Sequence, residues 1–218
     1  MRIVVVIVGI VLSISSWAQV GYKIDFKING LKDTTAYLGY YYGESTYVKD
    51  TAKVNSIGAF QFTGAKALPH GVYFLILNKT RIFEMVISGD QQFTMETSTS
   101  DYIKNMKVTG DDDNKIFFEN MAFNMARNQE ATPYFTTVKD STASEEAKAS
   151  ARASLQKINE KVMAYQNELL AKYPKTMTAR MLKATKPIEV PDPPKRADGS
   201  IDSTFQYKYY RQHFFDNF

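Results

Sequence analysis

The 218-residue chain holds 44% hydrophobic and 23% charged residues, ordinary proportions for a globular protein. Its net charge of +4 is too small to point to nucleic acid as a partner, and it contains no cysteine. A cysteine-free chain excludes a disulfide framework, a thiol nucleophile, a zinc–thiolate site and a lipid-modified N-terminal cysteine.

Met1 and Arg2 precede an apolar run from Ile3 to Leu12, and small residues follow, ending in Ser16-Trp17-Ala18. A basic start, an apolar stretch and a small-x-small site read as a secretory signal peptide over residues 1–18, with cleavage expected after Ala18. The run falls short of the about 20 apolar residues that a spanning helix needs. The expected product is exported to the periplasm or cell envelope, begins at Gln19 and keeps no stable membrane span. Without Arg2 it has 26 basic residues against 23 acidic ones, a charge of +3. Lacking disulfides, it must hold itself together by core burial.

Residues 19–110 read as a β-sandwich domain. Strand-like segments recur at Tyr22–Ile28, Thr35–Tyr42, Tyr47–Val54, Ala59–Thr63, Val72–Leu77, Ile82–Ile87, Gln92–Glu96 and Asn105–Val108, with turn formers such as Asn29-Gly30, Pro69-His70-Gly71 and Ser88-Gly89-Asp90 between them. Short strands at this frequency predict an antiparallel sandwich. In the first strand Tyr22, Ile24, Phe26 and Ile28 alternate with Lys23, Asp25 and Lys27, so one face is wet. Tyr73 to Leu77 is apolar on both faces and is expected to be the most buried strand.

At Gly110 the period changes, and residues 111–188 read as a helical region, making the chain α+β. One helix is expected over Lys115–Asn128, with Ile116, Phe117, Met121, Phe123 and Met125 as its apolar residues and Asp111–Asn114 at its start. A second is expected from about Ala143 to Tyr173. There Leu155, Ile158, Val162, Tyr165 and Leu169 step by three and four along one face, a spacing suited to packing on a neighbouring element. Pro174 ends it. Residues 189–202 form a Pro-rich linker. The last segment, 203–218, carries seven aromatics (Phe205, Tyr207, Tyr209, Tyr210, Phe214, Phe215 and Phe218) and reads as the start of a truncated further element, poorly packed as it stands.

The surface feature that stands out is Tyr37, Tyr40, Tyr41, Tyr42 and Tyr47. Exposed tyrosines on a sandwich stack on sugars or anchor a protein partner. The same residues also serve as cross-strand aromatic pairs. Asp111-Asp112-Asp113-Asn114 lacks the alternation, the central Gly and the closing Glu of a calcium loop, and is accounted for as a helix cap. His70 and His213 lie in different regions without a ligand pattern. There is no P-loop, dinucleotide glycine pattern, GxSxG or HExxH, so no cofactor or catalytic residue is expected.

Val48-Lys49-Asp50-Thr51, Gly58-Ala59-Phe60-Gln61-Phe62-Thr63-Gly64 and Pro69-His70-Gly71-Val72-Tyr73 together resemble the β-sandwich domain of unknown function that opens many exported bacterial thioredoxin-like proteins. The turn Val108-Thr109-Gly110, followed by Asn114 and a helix, is similar to that domain's exit. The run from Tyr209 to Phe218 resembles the helical domain of unknown function that comes next. The resemblance covers nearly all of the exported part. It implies that a thioredoxin-like domain of the TlpA and ResA type, with its Cys-x-x-Cys, would follow; with no cysteine present, no redox residue carries over. The expected function is a non-catalytic accessory or interaction module of the cell envelope, partnered by another protein or by the missing redox domain. Two alternatives stand beside it: a stand-alone glycan- or ligand-binding sandwich, and an intact gene product that is a thiol–disulfide oxidoreductase. The exported chain should not reduce insulin disulfides, because it has no sulfur nucleophile to form the mixed disulfide; turnover above a protein-free control would overturn that expectation.

Overall fold

A computed structural model describes residues 21–195 and 199–217; the expected signal peptide lies outside the described residues. Eight strands come first: β1 (Tyr22–Asn29), β2 (Thr35–Tyr42), β3 (Ser45–Lys53), β4 (Ala59–Gly64), β5 (Gly71–Leu77), β6 (Thr80–Ile87), β7 (Gln92–Ser98) and β8 (Lys107–Thr109). Four helices follow: α1 (Asp112–Lys139), α2 (Glu145–Lys172), α3 (Met177–Ala184) and α4 (Phe205–His213). The fold is α+β, with a two-sheet β part ahead of the helices.

The alternation read in the sequence builds the core. Ile24, Phe26 and Ile28 of β1, Phe60 and Phe62 of β4, and Phe93 and Met95 of β7 face Ala36 and Leu38 of β2, Leu75 and Leu77 of β5, and Phe83, Met85 and Ile87 of β6. Phe26 stacks on Phe60 at 4.9 Å and meets Phe62 edge-on at 5.8 Å. One sheet runs in the order β4-β1-β7-β8, the other β3-β2-β5-β6.

One pair departs from the expected antiparallel arrangement. β1 and β7 run parallel, Lys23 opposite Gln92 and Asn29 opposite Ser98, so the first sheet is mixed. The chain visits the whole second sheet between these two strands, which gives the long crossover that a parallel pair requires. Side-chain alternation has the same period in both pairings and carries no strand direction.

Two bulges shape the second sheet. Leu38 pairs with Asp50 and Gly39 with Val48, leaving Lys49 as the extra residue of β3. Leu75 pairs with Phe83 and Ile76 with Arg81, leaving Ile82 as the extra residue of β6. β5 is closed on both faces, as its composition predicts: Tyr73, Leu75 and Leu77 point into the core, while Phe74 points outward and is still only 2% exposed.

α1 packs against β6 and β8, the strands that flank one open side of the sandwich. Phe118 enters the core and meets Phe83 edge-on at 5.5 Å. Met125, expected on the apolar stripe, is 42% exposed; nine residues after Ile116, it lies on the opposite side of a 3.6-residue helix. α1 also runs past the expected end at Asn128, through Pro133 to Lys139. Thr132, Thr136 and Thr137 each donate a hydroxyl to the carbonyl four residues back along this part. α2 packs on α1 through Ile158, Tyr165 and Leu169, with Tyr165 stacked on Phe123 at 4.0 Å. α4 buries none of its residues. No helix among the described residues is long and apolar enough to cross a membrane.

The outward Phe74 ring lies over Gly39, where an added Cβ would stand 2.2 Å from Cε2 of the ring. Gly39→Ala should destabilise the fold by about 1–3 kcal/mol in urea unfolding. Combining it with Phe74→Leu should return part of that loss, because the two sites then couple in a double-mutant cycle; strict additivity would remove this account of Gly39.

Candidate functional site

The register of β2 divides the five tyrosines between two faces. Ala36 and Leu38 point into the core, so Tyr40 and Tyr42 share their side, while Tyr37 and Tyr41 share the outer side with Gly39. Tyr40 sits opposite Tyr47 and packs between it and Tyr73, at ring distances of 5.8 and 6.0 Å. Tyr42 meets Tyr47 at 6.5 Å with the rings inclined by 69°. Tyr42 and Tyr47 stand out at 74% and 49% exposure, past the end of the core, while Val48, opposite Gly39, is 55% exposed on the outer side. Tyr37 is half-buried and joins neither group. Beneath the tip, Tyr22 donates its hydroxyl to Oδ2 of Asp50 at 2.7 Å, tying the two sheets together. Burial and the Asp50 carboxylate push the Tyr22 phenol well above its ordinary value.

On the outer face Tyr41 belongs to a different assembly. The Arg81 guanidinium lies 4.2 Å from the centre of the Phe74 ring and 5.0 Å from that of Tyr41. Arg81 donates to the Tyr41 hydroxyl, which donates in turn to Glu84. The hydrogen bond to Glu84 raises the Tyr41 phenol above its usual value, and Arg81 opposes that rise. Residues three apart on a regular strand face opposite ways. The bulge at Ile82 brings Arg81 and Glu84 to one face, at 3.8 Å. Sequence spacing alone separates these two residues.

A second site lies at the joint between sandwich and helices. Asp111 caps α1, accepting from the backbone N–H groups of Asp113 and Asn114. Burial holds its carboxyl above the ordinary aspartate value, with the hydrogen bonds from Asn114 and Asp113 pulling it down. Asn114 is fully buried. Its Oδ1 accepts from Val86 N at 2.8 Å and its Nδ2 donates to Val86 O at 2.7 Å. Asp113 is buried too: one oxygen accepts from Ser88 Oγ, the other from Thr178 N at 2.7 Å, and Thr178 Oγ1 donates to its carbonyl at 3.0 Å. The reading of these residues as a helix cap holds for Asp111; Asp113 and Asn114 go further and bind β6 and α3 to the start of α1.

Beside the joint is a cleft of about 660 Å³ with His70, Asp90, Asp112, Lys175 and Arg180 on its walls. His70 and the aspartate run, far apart in sequence, thus share one space. Ser88 and Asp113 are not poised for acyl transfer, because the hydroxyl donates directly to the carboxylate, leaving no imidazole between them to take its proton. Both Asp113 oxygens are occupied by protein donors. No group of three or more His, Asp or Glu side chains suited to a metal ion occurs among the described residues.

The span that holds the whole sandwich, both tyrosine groups and the first turns of α1 is the span that matches a family model. Residues 22–117 match DUF4369, a domain of unknown function. Its end at residue 117 lies just past Asp113 and Asn114, so the helix start that locks onto β6 falls within the domain rather than after it. No characterised protein and no solved structure matches the chain.

Asn114→Ala removes both partners of Val86 inside a shielded site. Each buried group left unpaired costs about 1–3 kcal/mol, so the variant should lose about 2–6 kcal/mol in urea unfolding, with amide exchange accelerated at Val86 ahead of Leu75. A loss under about 0.5 kcal/mol, the scale of a plain surface substitution, would show that the joint contributes little.

Proposed function

We propose that the chain is an exported, non-catalytic interaction module of the cell envelope, and the front part of a thioredoxin-like thiol–disulfide protein. The observation that carries this reading is the aromatic tip of the β2–β3 hairpin. Tyr42 and Tyr47 are exposed there on one face and Val48 on the other, and the strip from Ser45 to Val48 bears no charge. Tyrosine enrichment with charge depletion is the composition of the centre of a protein interface. The occupant assigned is a folded protein partner, in this reading the redox domain itself. The 69° between Tyr42 and Tyr47 makes a notch for a side chain rather than one flat platform for a sugar ring, which favours the protein partner over the glycan alternative.

Three further points support the proposal. The leader over residues 1–18 has the order of an export signal. The match to DUF4369, a domain of unknown function, spans the sandwich that carries the tyrosine tip. The polar groups buried at the joint are engaged with one another, and the chain has no thiol.

A photoreactive residue placed at Tyr42 or Tyr47 in living cells tests this. Each should give one discrete cross-linked product in the envelope fraction, carried by a chain that begins at Gln19. The same residue at Thr63, exposed on the other sheet, should not. No product from the hairpin, or the same products from Thr63, would overturn the interaction reading; a partner without a thioredoxin fold would remove the redox assignment.

A further inference from the structure

We propose that the cleft between β8, the turn at residues 101–106 and the first turns of α1 binds a medium-chain aliphatic carboxylate. This inference is independent of the hairpin and of any protein partner. The cleft encloses about 340 Å³. Its floor is apolar: Phe118 is 3% exposed, and Ile103, Met106 and Val108 are half-buried against the sandwich core. At its mouth stand Lys104, Lys107 and Lys115, and none of these three forms an ion pair among the described residues.

One of these charges, Lys115, runs against the helix dipole, and all three ammonium groups are exposed around the cleft. Lys115 lies in the first turns of α1, close to the positive end of the helix dipole, where a cation is unfavourable. Glu119, one turn on, lines the same cleft, but with the lysine ahead of the glutamate in the weaker order, and the two do not pair. Glu96 sits opposite Lys107 across the β7–β8 pair. Two carboxylates against three ammonium groups leave the mouth cationic above an apolar floor. A ligand with a carboxylate head and a hydrocarbon tail complements both halves.

Volume sets the tail length. At roughly 30 Å³ per water-sized group, the open cleft has room for on the order of ten non-hydrogen atoms, about the size of octanoate. Longer chains would leave methylenes in water and gain little from them.

Octanoate and octylammonium share a tail and differ in the sign of the head, so the pair separates charge recognition from greasy adhesion. Titrated into the exported chain, octanoate should move the resonances of Ile103, Met106, Val108 and Phe118 saturably in the millimolar range, and octylammonium should not. The double variant K107E/K115E changes two exposed side chains, so its unfolding midpoint should stay close to the parent's. It should bind octanoate on the order of tenfold more weakly, as expected when two near-surface attractions become repulsions. Equal shifts from both ligands, saturation at a different cleft, no response to octanoate, or unchanged affinity in the variant would each overturn the proposal.

Discussion

The fold hangs on a buried Asp–Asn pair at the start of α1. A carboxylate or amide out of water costs several kcal/mol unless its hydrogen-bonding capacity is met. Asp113 and Asn114 meet theirs by reaching in different directions. Asn114 offers one acceptor and one donor to Val86, the pattern a neighbouring strand would present to the outer edge of β6. Asp113 holds Ser88 at the exit of β6 and the first turn of α3. These bonds fix where α1 begins and how it lies, and therefore put Phe118 into the core, α2 on the far side of α1 and α3 across its base. Because each side chain makes at least two buried hydrogen bonds, misplacing the helix would strand them unpaired.

Gln91 repeats the device at the next crossing of the chain. Its Oε1 accepts from Leu68 N at 2.7 Å and its Nε2 donates to Leu68 O at 2.9 Å, with a second donation to Ser88 O. Leu68 lies in the segment that leaves the first sheet for the second, and Gln91 in the segment that returns. A backbone crossing between sheets has no ladder to satisfy it. A primary amide supplies both halves of a ladder contact from one side chain, and so the two inter-sheet segments are pinned to each other. Ser88 is shared between this contact and Asp113, which links the sheet crossing to the helix joint.

How much of this was legible follows from the range over which each signal acts. The eight strands were readable because alternation and turn residues are local; all eight overlap the expected segments, but β8 starts at Lys107 instead of Asn105, which is held in a turn by Asp101. The parallel pairing of β1 with β7 was not, since direction leaves no mark on alternation. α1 runs past the expected end at Asn128 to Lys139 because packing against α2, a contact between distant residues, carries it through Pro133. α3 went unread: it is eight residues long, and its first turn is anchored by Asp113, 65 positions earlier. The aspartate run was seen as a cap, correctly for Asp111. The joint made by Asp113 and Asn114 was invisible, because Val86 and Thr178 cannot be inferred from the residues beside them. The tyrosines were visible as a group, but their division between two faces needs the strand register.

The treatment of the sheet edges decides where a partner can be met. Unpaired strand edges are templates for further strands and are normally blunted. β6 is met by Asn114 and overlain by α1, and β8 is three residues long with α1 against it. β4 is short, at six residues. That leaves β3, nine residues long and exposed along most of its length. Here the bulge at Lys49 breaks the ladder spacing in mid-strand, and Lys49 and Lys53 place charge along the edge. Both are devices that discourage an added strand. A partner approaching this side therefore meets no continuous row of free backbone groups. What it meets is the uncharged end of the strand, Ser45 to Val48, with Tyr42 beside it. In the interaction proposed above, contact would run through side chains, and the rings of Tyr40 and Tyr73 pack behind Tyr47.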